Sequence, residues 1–152
     1  MFDRIFPEVI DNNYRGYKLA LWLFIPITFM KLAIGLGSVF NSYNAARSAD
    51  GIPLDTFTSG GAEAVVSLFA LLGLAQLLLG SLCVLALIRY RAMISLTYVL
   101  LVVEYVAKRL ILLMKPIART GTTPGTYIGF VLVALLIAGL LLSLPARSSS
   151  PR

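Results

Sequence analysis

The 152-residue chain contains no histidine, a single cysteine and one tryptophan, and only 13% of its residues are charged. Each shortage removes a class of chemistry. Without histidine there is no imidazole to ligate haem, zinc or copper and none to act as general base. One thiol cannot close an internal disulfide or form a CxxC redox pair. Cys83 lies in the middle of an apolar run, where a cysteine reads as a small packing residue. The chain also lacks a glycine-rich phosphate loop ending in lysine and any pair of carboxylates at catalytic spacing. The sequence therefore assigns no catalytic residue and no metal ligand, and catalysis by this chain alone is not expected.

What the chain has in abundance is apolar surface, with 59% hydrophobic residues and a mean hydropathy of +0.88. These values lie outside the range of soluble domains and predict an integral membrane protein. A hydrocarbon core about 30 Å thick is crossed by roughly 20 apolar residues in a helix. Four stretches qualify: 19–40, 64–88, 92–114 and 126–145. In lipid the backbone hydrogen bonds must close within each segment, so each is predicted to be a helix. The expected fold class is an all-α membrane protein, a bundle of four transmembrane helices. The first stretch follows a mixed-charge tail and has no small-residue cleavage pattern after it, so it reads as a permanent span.

Residues 1–18 form the amino-terminal tail. There Phe2, Ile5, Phe6, Val9 and Ile10 recur at helical spacing, which leaves open a short interfacial helix or a partly ordered tail. Residues 41–63 make the one sizeable loop, in which Thr58 or Ser59 is placed to cap the second helix. Residues 146–152 end in RSSSPR and are predicted to be disordered.

Lysine and arginine set the orientation, because positive loops stay on the cytoplasmic side. Arg4, Arg15, Lys18, Arg89, Arg91, Arg147 and Arg152 gather on one side, against Arg47, Lys115 and Arg119 on the other. Both termini are thus expected to be cytoplasmic. Cations spread around membrane edges do not make the basic face of a nucleic-acid binder, and the expected surroundings are the lipid membrane, with a protein partner or a second copy of the chain.

The exceptions to the apolar pattern are informative. Counted at about 1.5 Å per residue from the ends of their helices, Lys31, Gln76 and Glu104 each lie roughly 18 Å deep, near the bilayer centre. A charge there costs at least about 2.5–3.5 kcal/mol, so such groups turn inward and find partners. Thr28, Lys31, Gly35 and Ser38 make one small or polar stripe, and Gly73, Gln76 and Gly80 make a second. On the third helix Thr97, Leu101, Glu104 and Lys108 share a face. Glu104 has two candidate partners: Lys108 at i+4 in the favourable order, and Lys31 across the bundle. The predicted polar centre and candidate ligand site is Lys31, Gln76, Glu104 and Lys108. Arg109, about 100° away, is expected to snorkel toward the headgroups.

The segments FMKLAIGLGSVF and GAEAVVSLFALLGLAQLLLGSLCVLALIRYRAMISL, joined by a polar loop, resemble the DoxX-like group of four-helix membrane proteins over residues of about 25–105. Gln76 stands where that pattern calls for an acid, and Glu104 comes later. The resemblance implies a membrane subunit of a redox or sulfur-metabolism system that works beside a soluble or thiol-active protein. The leading expectation is a small accessory or interaction subunit of a bacterial inner-membrane complex. Two alternatives stand beside it. One is a quinone-interacting redox subunit, with Trp22, Tyr98 and Tyr105 lining the site and quinone as the cofactor. The other is a small transporter or proton relay using Glu104.

Overall fold

The computed structural model describes residues 5–121 and 124–144, and among them all regular structure is helical. Four long helices carry the chain: α1 (Lys18–Phe40), α2 (Ser59–Ile88), α3 (Ile94–Met114) and α4 (Pro124–Ser143). Among the described residues three of these, α1, α2 and α4, are long and apolar enough to cross a membrane, with hydropathies of 2.0, 2.4 and 2.4. The 21-residue α3 has the length but carries Glu104, Lys108 and Arg109.

Local chemistry explains where the helices begin and what interrupts them. α2 starts at Ser59, five residues before its apolar stretch, because the Thr58 hydroxyl accepts the Gly61 N–H at 3.2 Å. Hydropathy registers depth in lipid; the cap and the helix formers Ala62, Glu63 and Ala64 set the backbone start. α1 runs straight through Pro26, which has no N–H to offer the Trp22 carbonyl. Such a residue is tolerated in a membrane helix where neighbours and local adjustment satisfy the freed group. In the tail, the helix considered over Phe2–Ile10 does not continue beyond Ile5, and Phe2 lies outside the described residues. Pro7 disfavours helical backbone at Phe6 and removes a donor. The tail expected to be disordered at 146–152 also lies outside the described residues.

Packing is built around α1, which lies against both α2 and α4, while α3 packs on α4. The α1–α2 seam is made by glycines: Gly35 faces Leu77, Gly73 faces Ser38 and Val39, and Gly80 faces Leu32. Small residues of this kind let backbones approach, and in lipid that close packing substitutes for a hydrophobic drive. The main apolar core comprises Ala20, Phe24, Ile27, Cys83, Ala86, Ile94, Tyr98, Leu101, Leu132 and Leu136. A second, smaller cluster of Ala46, Ile52 and Leu54 rests on Val65, Val66 and Phe69. Tyr98 ties three helices together. Its hydroxyl donates to the Ala20 carbonyl at 2.8 Å, its ring meets Phe24 edge-on at 5.1 Å, and Gly139 leaves room for it.

The two ends of the bundle are tied separately. At one, the Tyr17 N–H donates to Leu142, the Ala92 N–H to Asp11, and the Ser95 hydroxyl to the Ser143 carbonyl. At the other, the Thr120 N–H and hydroxyl both donate to the Gly51 carbonyl, at 2.9 and 3.2 Å. Gly51 has φ 70°, a left-handed conformation that a side chain would strain. The tail, the α2–α3 turn and the end of α4 thus share one end, and the long loop shares the other with residues 115–121.

Candidate functional site

Three helices converge on one carboxylate. α1 brings Lys31 from its small-residue face, 7% exposed, and α2 brings Gln76, 6% exposed, from between Gly73 and Gly80. α3 brings Glu104. Lys31 Nζ donates to Glu104 Oε2, and Gln76 Nε2 donates to Oε1 at 2.6 Å. Lys108 Nζ, one turn along α3, stands 2.5 Å from the same Oε1. The local and the cross-bundle pairings therefore coexist. The i, i+4 spacing with glutamate first delivers the one; the depth shared by α1 and α3 delivers the other.

Charge within this cluster is unequal, with two ammonium groups around one carboxylate. The imbalance points outward, because the Lys108 side chain is 40% exposed while that of Lys31 is 8%. Beyond Lys108 lies Asp50, within the long loop. Burial pushes the Asp50 carboxyl above the ordinary aspartate range, and the charges of Arg119 and Lys108 oppose that rise. Asp50 was not among the candidate residues that the sequence offered. No local pattern links it to Lys108 or Arg119; the fold of the loop brings them near. One buried hydroxyl in this polar layer is unused, since Thr28 Oγ1 has no hydrogen-bond partner. The α1–α2 register that pairs Gly35 with Leu77 and Ser38 with Gly73 sets Thr28 opposite Cys83, which is fully buried and free.

Arg109, expected to extend toward the headgroups, has its guanidinium over the Phe130 ring of α4, 5.1 Å from the centroid, an aromatic partner that the sequence did not supply. A cation over an aromatic face gains from the ring quadrupole, and more when water is scarce. The missed signal is weak: only knowledge that α4 packs beside α3 makes Phe130 a partner. The three aromatic residues considered for a quinone site do not line one surface. Trp22 is 69% exposed and Tyr98 fully buried, while the Tyr105 hydroxyl lies by Gly129.

Chemically, this arrangement fixes a carboxylate through both oxygens to donors on three helices. It is a clasp of high geometric demand, since charge-assisted hydrogen bonds are about twice as strong as neutral ones and loss of one partner leaves another buried without its counterpart. No family model, no curated protein and no solved structure matches the chain.

Proposed function

We propose that this chain is a small integral membrane protein of four spans, with α3 crossing as the fourth. In this reading it serves as an accessory or interaction subunit of a bacterial inner-membrane complex, and Lys31, Gln76, Glu104 and Lys108 hold its helices in register. One observation carries the reading: Glu104 already receives donors from α1, α2 and its own helix. With both oxygens engaged, the centre acts first as a fastener. Pairing Glu104 with donors on the bundle side makes that helix more compatible with lipid. The DoxX-like kinship, with its redox and quinone associations, is carried by the segments quoted above alone.

Two experiments test this reading. Purification of the tagged chain from native membranes in mild detergent, followed by mass spectrometry of proteins and small molecules, is expected to return a stoichiometric protein partner. Recovery of the chain alone with a bound quinone or other small ligand contradicts the accessory role. For topology, a reporter fused after Arg152 is expected to behave as cytoplasmic and one inserted within residues 50–60 as external. The expectation rests on the seven-to-three distribution of cations. The opposite pattern overturns the orientation, and both reporters on the same side overturn the four spans.

A second reading is favoured by a separate observation: the charges run as a series from Lys31 through Glu104 and Lys108 toward Asp50 and Arg119. A series leading from mid-bundle to a loop is what a proton relay through Glu104 would use. The chain is short, so a second copy would be needed to enclose a path.

A further inference from the structure

Beyond the clasp, the loop end of α3 carries cations without acids to match. Lys108 is engaged by Glu104, and Arg47 by Asp55. Among the described residues no carboxylate forms an ion pair with Arg109, Lys115 or Arg119; Asp50 feels the charge of Arg119 without forming one. Arg109 and Arg119 are both part-buried, and they flank a half-open groove of about 190 Å³ whose remaining lining is Leu112, Leu113, Pro116 and Ile117. Leu113 is 73% exposed and Ile117 45% exposed. Arg109 is held in place on the Phe130 ring.

We propose that this groove binds one anionic phospholipid, its phosphate between Arg109 and Arg119 and the start of an acyl chain along Leu112, Leu113 and Ile117. Three features select a lipid over a soluble anion or a peptide. Two guanidinium forks match the oxygens of a phosphate diester. Four of the six lining residues are apolar and continue onto the exposed Leu113 and Met114 surface of α3. The groove lies at the end of a helix of membrane-crossing length, where a headgroup would be. Basic pockets beside membrane helices are a general means of holding acidic headgroups. The proposal goes beyond the accessory reading and needs only that α3 lie across the membrane, which the topology experiment reads independently.

The test uses the full chain purified in a neutral detergent, with thermal midpoints measured after adding phosphatidylglycerol or phosphatidylcholine. Phosphatidylglycerol is expected to raise the midpoint by several degrees more than phosphatidylcholine, while inorganic phosphate leaves it unchanged. The selectivity should vanish in the Arg109→Gln, Arg119→Gln double variant and persist in Arg89→Gln, Arg91→Gln, which removes cations from the other end. Equal shifts with both lipids, a selective shift retained by the Arg109, Arg119 variant, or a full effect from inorganic phosphate each overturn the proposal. Should the double variant fail to fold, native mass spectrometry of the wild-type chain decides. One retained phosphatidylglycerol in an equimolar mixture of the two lipids is the expected result, and unselective retention refutes it.

Discussion

Glu104→Gln is expected to be the most damaging single change in the polar centre, costing about 3–5 kcal/mol, because it removes the counter-charge from Lys31 and Lys108 together. Lys31→Met is expected to cost much less. It leaves Glu104 paired with Lys108 and Gln76 and places an unbranched apolar side chain in a site only 7% exposed. The double variant Lys31→Met, Glu104→Gln should recover part of the Glu104→Gln loss. Its remaining cation, Lys108, is 40% exposed and can extend toward water. Thermal midpoints in detergent measure all three. If the two single changes are equal in cost and strictly additive, Lys31 and Glu104 are not coupled, and the clasp is not what fixes the bundle.

Gly→Ala substitutions on and off the α1–α2 seam should separate sharply. A Cβ at Gly73 would lie 2.7 Å from Ser38 Cβ and 2.8 Å from the Val39 backbone nitrogen. A backbone cannot rotate away, so the helices must part, at a cost of about 1–3 kcal/mol. At Gly80 the nearest atom is the Leu32 Cδ2 at 2.7 Å, with the backbone nitrogen 3.5 Å away; the leucine can change rotamer, and the cost should be smaller. At Gly37 nothing lies within 4 Å, and alanine should be neutral or slightly favourable through its helix propensity. Thermal midpoints of the three variants should fall in that order. Indistinguishable values for Gly73→Ala and Gly37→Ala would mean that α1 and α2 do not meet in this register.

The helices were legible because lipid leaves so few options: long apolar runs with no alternative means of closing their hydrogen bonds must coil. Their ends were less so, as α2 shows, because Thr58 and the polar stretch after it shape the backbone without contributing hydropathy. The convergence of Lys31, Gln76 and Glu104 was legible for a second reason. On the four-span reading, equal depth nearly fixes proximity between neighbouring helices, and the glycine stripes tell which faces of α1 and α2 meet. Depth alone did not reveal partners that depend on lateral neighbours. Arg109 on Phe130 requires α3 beside α4, and Asp50 near Lys108 requires the loop to fold back on the bundle. Tyr98 shows the same limit: its composition suggests a ligand-facing ring, whereas its hydroxyl is spent on the Ala20 carbonyl.

The glycine seam between α1 and α2 also governs how the protein answers to temperature. Water-driven burial produces a large heat-capacity change and a domed stability curve that weakens in the cold. When these two helices part inside a bilayer, the surfaces they uncover meet acyl chains, and almost none of that hydration signature arises. Their association is then set by contacts between the helices and by the ordering of lipid and side chains, and the hydration-driven weakening on cooling that besets a water-soluble core of similar size is not expected of this seam.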